Sequence, residues 1–413
     1  PELLVFNKAD GMTAEQRAAI ASAHPEALVV SAHDPDDVLR LREAIVATLD
    51  ATLEGALLDV PHAQARRLGE IRERAHVLAE TWTETGVRLS VRAAAVDLAA
   101  WADLRDDRPP PHGLEDLLER ARLHGLDLLP TRDRLDDSGV DFLVAHAEDE
   151  AGRPWVVRAP RHAYVVDAAR AEARALALVR RRLPVEVPDW RIHTPSLIAY
   201  PRLGGTPALT VDGDGVNWNV IDPDAPGEAF LASYARLLAA MQAVPAVEAR
   251  RAGVCVRTID EERAFVAASI EAAVRNLDVP EQLRARWLRW IDDDRIWPTH
   301  VALCHGDLHP GHLLLDPDGA IRGVLDWTEA RVGDPGTDLA VAFGCLGRTA
   351  FADLVARFER AGGRIWPGLR RHVEERWIAW PAIAAEFALR NGNEAVLADA
   401  RREIAAAAAQ LGI

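Results

Sequence analysis

A polar loop between short apolar runs constrains this chain more than any other stretch does. The loop has the sequence HGDLHPGH (residues 305–312) and lies between the apolar runs 299–304 and 313–315. A third run, 321–325, is followed directly by Asp326. Short apolar runs beside turn residues are typical of buried strands. We therefore predict three strands whose ends present acidic and imidazole side chains from a rigid scaffold.

The residue types in this stretch match what phosphoryl transfer requires. Such a reaction needs one acid to accept the proton of the attacking hydroxyl, and ligands that hold Mg²⁺ on the nucleotide. Asp307 is the candidate base, and His312 and Asp326 are the candidate metal ligands. Two carboxylates held close together repel each other unless a cation lies between them. The spacing therefore predicts a Mg²⁺-dependent phosphotransferase.

Two other interpretations of the loop stay open. The loop would be a surface turn without function if its three histidines and one aspartate were simply solvated. Alternatively His305, His309 and His312 could ligate zinc, although the chain has no Cys pair and no H-E-x-x-H motif beside them. The apolar runs on both sides of the loop favour the phosphotransferase interpretation over the surface turn.

Composition limits the partners of this chain. The 413 residues carry a net charge of −16, which argues against nucleic acid or an anionic membrane and suits a cationic substrate. The three cysteines have no ligand spacing, so they indicate a reducing compartment. Neither a signal peptide nor a run of 18 apolar residues is found. We expect a cytoplasmic monomer.

The longer string HGDLHPGH…LDWTEARVGDPGTDLA resembles the macrolide 2′-phosphotransferases, a branch of the aminoglycoside-phosphotransferase and kinase-like superfamily. In that branch His replaces the usual Asn at the place of His312. The resemblance covers about 114–413. It implies an α+β, bilobal, protein-kinase-like fold, with a small mixed lobe at 114–203 and a larger helical lobe at 204–413. The activity that it implies is transfer of the γ-phosphate of GTP, with ATP possible, to the desosamine 2′-hydroxyl of a macrolide, which gives antibiotic resistance.

The nucleotide site of such a fold needs a cation for the phosphates. Lys8 is the only lysine in the chain, so this role would pass to Arg158, whose planar fork matches phosphate oxygens. Glu172, on a following amphipathic helix, would pair with Arg158 as the helix glutamate of kinases does. Ser138 and Gly139 would offer backbone N–H groups to phosphate, although an ordinary turn is equally consistent with them.

Two further groups of residues belong to the predicted binding sites. Ala199, Tyr200 and Leu203 lie where a strand runs into a Pro/Gly-rich crossover, and the resemblance implies a hinge there whose backbone bonds the purine. The candidate acceptor residues are Asp334, Asp338, Trp377, Trp380 and Phe387.

Both kinds of acceptor residue have an alternative structural role. The two acids flank a helix N-terminus, where they would either cap the helix or meet a substrate cation. The aromatic residues recur at helical spacing, which is more often a core stripe. The resemblance instead implies that C-terminal helices wall the acceptor pocket, and a large apolar macrolactone suits such a wall.

Residues 1–104 have a different character, with a β-α-β-α pattern at their start. The string N-K-A-D (7–10) and Ser31-Ala32 resemble the guanine-reading loops of HflX-type GTPases. The chain has no G-x-x-x-x-G-K-[ST] loop, so we expect a truncated, non-catalytic GTPase-like segment. We also expect a helix at about 63–80 and partial disorder, because half a sheet cannot bury its core. A regulatory module is the alternative, and a Pro-rich linker, 105–113, follows.

Two alternatives to a macrolide kinase remain. The first is another small-molecule O-phosphotransferase of the superfamily, acting on an aminoglycoside or an amino-alcohol. Aminoglycosides carry several charges and would favour a more acidic, less apolar pocket than this Trp- and Leu-rich C-terminal region indicates. The second is a non-catalytic, nucleotide-binding regulatory protein, which would bind nucleotide and form no phosphorylated product.

Overall fold

The structure, a computed structural model, describes residues 3–24, 27–50, 53–105, 111–136, 141–212, 215–410 and 412. It divides into two compact units. The first unit comprises Pro1–Arg180, Val187–Leu203 and Arg251–Gly253, and the second comprises Arg181–Glu186, Gly204–Arg250 and Val254–Ile413. One boundary between the units thus falls after Leu203, where the sequence analysis ended the small lobe. The N-terminal segment 1–104 belongs to the same unit as 114–180.

The first unit is a mixed α/β structure. Its strands are β1 (Val5–Phe6), β2 (Leu28–Val29), β3 (Leu53–Pro61), β4 (His76–Trp82), β5 (Gly86–Ala94), β6 (Leu129–Asp136), β7 (Phe142–Glu148), β8 (Pro154–Pro160), β9 (Ile192–Thr194) and β10 (Leu197–Pro201). Its helices are α1 (Ala14–Ala23), α2 (Pro35–Asp50), α3 (Arg67–Arg74), α4 (Ala95–Ala100), α5 (Leu114–Leu123) and α6 (Ala163–Val179). The predicted β-α-β-α start is present, and β1 pairs with β2 in parallel.

An antiparallel sheet in the order β6-β7-β8-β10-β9 forms the centre of the first unit. Side chains alternate across β8, as they do in any strand. Trp155 and Val157 therefore pack with α5 on one face, in a core that includes Leu117. Val156 packs on the other face, in a second cluster with Ala169 of α6. This alternation decides which side chains of β8 face α6.

A second sheet, in the order β3-β5-β4, lies in the N-terminal segment and has its own core. Leu58, Leu89 and Trp101 are almost completely buried there, together with Ile71 of α3. The expectation of partial disorder is therefore wrong for residues 53–105, because three long strands and a helix bury a contiguous apolar cluster. The predicted helix at about 63–80 is confirmed only over α3, Arg67–Arg74, and is wrong at its end, where the strand β4 begins at His76.

The second unit is largely helical. Its helices are α7 (Glu228–Gln242), α8 (Ala246–Arg251), α9 (Ile259–Asn276), α10 (Glu281–Asp292), α11 (Gly336–Arg360), α12 (Leu369–Asn391) and α13 (Glu394–Gln410). Its strands are β11 (Thr206–Pro207), β12 (Leu209–Asp212), β13 (Gly215–Trp218), β14 (Ala302–Cys304), β15 (Leu313–Leu315), β16 (Ile321–Val324) and β17 (Arg331–Gly333). By length and composition α11 could cross a membrane, but it packs against α7 and α12, and buried core helices share that composition.

A buried ionic cluster lies at the N-terminus of α11. The Asp334 carboxylate accepts the Gly336 N–H at 2.8 Å and lies 2.8 Å from His372 Nε2 and 3.0 Å from Arg376 Nη1. Trp290 Nε1–H donates to His372 Nδ1, which places the proton of a neutral His372 on Nε2, facing Asp334. Burial alone would raise the pKa of this carboxyl, but His372 and Arg376 hold that pKa below its usual range. The cluster joins α11 to α12.

The N-terminal sheet provides a test of its own packing. We expect Leu89→Ala, which removes a side chain with no exposed surface, to lower the free energy of unfolding by about 2–5 kcal/mol. Leu78→Ala in β4 is the matched control, because 43% of Leu78 is exposed, and it should cost about 0.5 kcal/mol or less. Urea denaturation measures both values. Equal, small effects would show that residues 53–105 lack a packed core.

The ionic cluster provides a second test. We expect Asp334→Ala to lower the free energy of unfolding by about 3–5 kcal/mol, because it removes the nearer carboxylate of the buried Arg376 and leaves only Glu262, at 3.9 Å. Asp399→Ala removes an exposed pair with Arg402 and should cost about 0–1 kcal/mol.

The pH dependence of this effect follows from the direction of the pKa shift. The folded-state pKa of Asp334 lies below its ordinary value of 3.8, so its contribution is complete above that value. The stability difference between wild type and Asp334→Ala should therefore shrink as the pH falls below about 4. A difference that grows in acid would contradict the assignment.

Candidate active site

Two short antiparallel strand pairs hold the polar loop of residues 305–312. β14 pairs with β17, and β15 pairs with β16, both in antiparallel register. The loop connects β14 to β15, and Asp326 lies two residues after β16. The three strands predicted around the loop are confirmed.

Asp307, His312 and Asp326 come together at the surface of the second unit. His312 Nδ1 lies 2.9 Å from the Asp307 backbone carbonyl oxygen and 3.8 Å from its Oδ2. His312 Nε2 lies 3.8 Å from Asp326 Oδ2. The side chains of the two acids are 38% and 47% exposed, so both are open to ligands. The imidazole of His312 thus stands between the two carboxylates.

The tautomer of His312 makes it suitable as a metal ligand. Because its Nδ1 faces a carbonyl oxygen, Nδ1 carries the proton and donates it. The lone pair then remains on Nε2, which faces Asp326. A second hydrogen bond of this kind is the usual way in which proteins orient a metal-binding histidine. His312 and Asp326 therefore fit a divalent cation, although Mg²⁺ generally prefers oxygen ligands.

The structure brings together a different set of possible zinc ligands from the one that the sequence suggested. Asp307, His309 and His312 offer ligand atoms that lie within 4.8 Å of one another. His305 is not available, because its Nε2 lies 2.8 Å from the Leu325 carbonyl oxygen and its Nδ1 accepts the Asp307 N–H. Burial lowers the pKa of His305 to about 4, which keeps the ring neutral. Of the three histidines that the zinc alternative would use, His305 is therefore excluded as a ligand in this structure.

Asp338 fixes the backbone that leads into Asp307. Its two carboxylate oxygens accept the N–H groups of His305 and Gly306, at 2.8 and 2.9 Å. Burial raises the pKa of Asp338 to about 6, and these two hydrogen bonds oppose that shift. Gly306 has φ +91°, and a Cβ there would overlap the Glu329 carbonyl oxygen. Only glycine fits this turn without displacing its neighbours.

The acids Asp334 and Asp338 were expected to cap the helix or to meet a substrate cation. Both are at least 98% buried and are occupied, Asp334 by the ionic cluster and Asp338 by the loop backbone. Neither is open to a substrate in this structure. The expected contact with a substrate is therefore corrected: Asp338 holds the loop backbone at His305 and Gly306, and Asp334 accepts an N–H at the N-terminus of α11.

Asp326 adopts an unusual backbone conformation, with φ +57°. The left-handed region costs a residue with a Cβ roughly 1 kcal/mol, and such outliers concentrate at functional sites. The Thr328 N–H lies 3.3 Å from Asp326 Oδ1, so the segment after the strand turns back toward its carboxylate.

In the first unit, Arg158 and Glu172 form the predicted pair. Arg158 Nη2 lies 2.6 Å from Glu172 Oε2, and the two side chains are 11% and 1% exposed. The guanidinium carbon also lies 4.4, 4.8 and 5.7 Å from the ring centres of Phe142, Trp190 and Tyr200. These rings come from β7, from the segment before β9 and from β10. Sequence reasoning missed this aromatic cage, because its members are far apart in the chain.

The predicted hinge residues differ in what they offer. The Ala199 carbonyl already accepts the Arg191 N–H at 2.8 Å, and its methyl group is buried in the core that includes Leu117 of α5. Ala199 therefore belongs to the interior of the sheet, which corrects its expected role at the purine. Tyr200 faces Arg158, and Leu203 is half-buried beyond the strand. The predicted phosphate contacts Ser138 and Gly139 lie outside the described residues.

The aromatic stripe of α12 is partly exposed. Trp377 and Trp380 are half-buried, and Phe387 is 39% exposed. The ring of Trp377 lies directly over Gly344 of α11, where any Cβ would overlap it. Trp377 thus helps to pack α11 against α12. The role of these residues in acceptor binding stays a prediction.

Hydrogen bonds join the two GTPase-like loops near the N-terminus, residues 7–10 and Ser31-Ala32. Ser31 Oγ donates to Asp10 Oδ1 at 2.6 Å, and the Ala32 N–H lies 3.2 Å from Asn7 Oδ1. A stretch of 93 residues, 22% of this chain, is 43% identical to 21% of the GTPase HflX of Gluconacetobacter diazotrophicus. The resemblance of the N-terminal segment to part of an HflX-type GTPase is confirmed.

The larger part of the chain resembles known phosphotransferases. The protein YcbJ of Bacillus subtilis (strain 168) is 39% identical over 283 residues, which are 68% of this chain and 92% of that protein. The solved structure of a type I macrolide 2′-phosphotransferase is 38% identical, with a TM-score of 0.66 over 70% of this chain and 96% of its own. The solved structure of the macrolide 2′-phosphotransferase MphH of Brachybacterium faecium is 37% identical, with a TM-score of 0.65 over 70% of this chain and 98% of its own.

These likenesses confirm the α+β, bilobal, protein-kinase-like fold predicted from the loop and its neighbours. Residues 133–372, more than half of the chain, match the phosphotransferase enzyme family, APH. The match includes the loop of residues 305–312, Arg158, Glu172, and Asp334 and His372 of the ionic cluster. The chain therefore belongs to the phosphotransferase enzyme family and is an O-phosphotransferase that acts on a hydroxyl group.

Proposed function

We propose that this phosphotransferase moves the γ-phosphate of GTP to the desosamine 2′-hydroxyl of a macrolide antibiotic and thereby confers macrolide resistance. The observation that carries the proposal is the likeness to two solved macrolide 2′-phosphotransferases, at 37–38% identity over 70% of this chain. The partly exposed aromatic side chains of α12 are compatible with an apolar acceptor. A dimethylamino sugar also suits a chain with a net charge of −16.

Asp307 is the proposed general base. Its carboxylate is accessible, and its backbone is held by Asp338 through the preceding two residues. As the acceptor oxygen attacks the γ-phosphorus, Asp307 takes the hydroxyl proton, and the bond from phosphorus to the bridging oxygen breaks. The nucleoside diphosphate leaves with that oxygen. Asp307 must then release its proton before the next turnover.

His312 and Asp326 would hold Mg²⁺, which neutralises phosphate charge when bound. A neutral His312 presents the lone pair of Nε2, and Asp326 presents a carboxylate 3.8 Å from it. Arg158, paired with Glu172, would orient the phosphates of the nucleotide as the lysine does in kinases. The choice of GTP over ATP rests on the resemblance to macrolide kinases.

The decisive experiment incubates the purified protein with Mg²⁺, erythromycin and either GTP or ATP, and detects one added phosphate by mass spectrometry. A phosphorylated macrolide supports the acceptor class, and the ratio of the two rates identifies the donor. Phosphorylation of kanamycin or of a small amino-alcohol instead would overturn the macrolide assignment and favour the wider O-phosphotransferase alternative. Nucleotide binding without any product would favour the regulatory alternative.

The base assignment has its own test. We expect Asp307→Ala to lower kcat about 10²- to 10⁴-fold, because the hydroxyl loses its proton acceptor, while nucleotide affinity stays near the wild-type value. Asp316→Ala is the matched control, since Asp316 is an acid close to the loop that pairs only with exposed Arg322 among the ion pairs described. Turnover by Asp307→Ala at the wild-type rate would disprove the assignment.

The aromatic cage predicts that lysine cannot replace Arg158. Lysine lacks the flat guanidinium that lies against Phe142 and Trp190, and the lost stacking is worth about 0.5–2 kcal/mol. We expect Arg158→Lys to raise the nucleotide KM about two- to thirtyfold. Arg191→Lys, at an exposed pair with Asp189, is the control. An unchanged nucleotide KM in Arg158→Lys would show that the cage has no part in nucleotide binding.

A further inference from the structure

The β3-β5-β4 sheet, residues 53–94, is an addition to the family fold. The family match begins at residue 133, and the relatives described above are matched over 92–98% of their own length but only 68–70% of this chain. The sheet nevertheless lies in the same compact unit as the β6-β7-β8-β10-β9 sheet. Its contacts with that neighbouring part of the unit indicate what it does there.

The backbone of β3 lies directly against β9. A Cβ on Gly55 would overlap the His193 carbonyl oxygen and would lie 3.2 Å from Thr194 Cγ2. No side chain larger than hydrogen fits between the two strands at this point. Arg92 of β5 lies close enough to His193 to help lower the pKa of its buried ring, after burial itself, to about 4. The contact is thus close-packed and leaves His193 neutral.

A buried hydrogen bond fixes the other side of the sheet. Ser90 Oγ of β5 lies 2.6 Å from Nδ1 of His124, the residue that follows α5. Both residues are at least 92% buried. A Cβ on Gly125 would lie only 2.9 Å from the Ala79 side chain of β4. Because buried polar groups are costly without partners, this hydrogen bond favours the docked arrangement of the sheet.

The third contact reaches α6. Glu54 Oε2 of β3 lies 3.2 Å from Arg170 Nη2, and the two side chains are 32% and 35% exposed. Arg170 also lies 2.8 Å from Asp167, one turn earlier on α6, which helps to hold its guanidinium in place. Only one residue separates Arg170 from Glu172, the acid that pairs with Arg158. The N-terminal sheet therefore holds the same helix that supplies the Arg158 partner.

We infer that the β3-β5-β4 sheet is a positioning element that holds α6 so that Glu172 stays within reach of Arg158, and that Glu54 and Gly55 are its positioning residues. Kinase activity depends on this basic residue–glutamate pair and on the position of the helix that carries the glutamate. The sheet thus adds a second attachment to α6, which already packs on β8 through Ala169. Its effect on turnover rests on the proposed nucleotide role of Arg158, but its effect on α6 does not.

The first test is Glu54→Gln, followed by amide hydrogen exchange across α6 and by nucleotide titration. We expect exchange in Ala163–Val179 to become severalfold faster and the nucleotide KM to rise severalfold, while the acceptor KM stays unchanged. Glu80→Gln is the matched control, because Glu80 pairs with Arg72 within the N-terminal segment itself. The effect of Glu54→Gln should disappear in an Arg170→Gln background, since the pair is already broken there.

The second test uses one added methyl group. Gly55→Ala should displace β3 from β9 and loosen α6, whereas Gly69→Ala in α3 should leave both unchanged, because nothing lies within 4 Å of its added Cβ. If Gly55→Ala does not fold, Glu54→Gln still decides the question.

The outcomes separate this inference from the proposed function. Hydrogen exchange of α6 reports on positioning whether or not a macrolide is phosphorylated. Faster exchange in Glu54→Gln together with weaker nucleotide binding supports the inference. A lower Tm with wild-type exchange in α6 and wild-type nucleotide affinity would overturn it, and would show that the sheet only adds stability.

Discussion

The carboxylate of Asp338 is the constraint on which the loop of residues 305–312 depends. It is buried at the start of α11 and accepts two consecutive backbone N–H groups, those of His305 and Gly306, immediately before Asp307. A buried carboxylate is costly unless its oxygens are satisfied, so the loop and the helix stabilise each other. Asp334, four residues earlier, anchors the same helix terminus to α12 through His372 and Arg376. Asp338 therefore holds the backbone before Asp307, and Asp334 holds the helix that carries Asp338.

His312 connects this loop to the segment that follows the β15–β16 hairpin. The Asp307 carbonyl fixes its tautomer, and its free nitrogen faces Asp326, which lies beyond β16 in a left-handed conformation. Kinase motifs usually have Asn at this position. Here His312 takes that place, and a backbone carbonyl sets its tautomer. The same hydrogen bond that orients the ring thus also determines which atom can bind a cation.

In the small lobe, the proposed phosphate contact is an arginine, Arg158, because the only lysine of the chain is Lys8. Arg158 pairs with the buried carboxylate of Glu172, which neutralises its charge. Its guanidinium also packs against three aromatic rings. A guanidinium is flat and weakly hydrated, and it tolerates such an enclosure better than an ammonium group does. The N-terminal sheet contacts α6, the helix of Glu172, through the ion pair of Glu54 with Arg170, and our inference connects the added segment with the Arg158 pair on that basis.

The candidate site follows from local sequence, because one loop and the strands beside it form it. Asp307, His312 and Asp326 lie within twenty residues, and apolar runs of strand length bracket them, so local spacing was enough to predict their approach. The pairing of Arg158 with Glu172 was predictable because the chain offers no lysine for the role. Tertiary structure alone decided the rest. Asp334 and Asp338 resemble exposed caps in sequence, and their burial depends on distant partners on α12 and in the loop. The strand β4 was predicted as a helix, and the docking of its sheet was not predicted at all, because local periodicity does not encode which surface a sheet will meet.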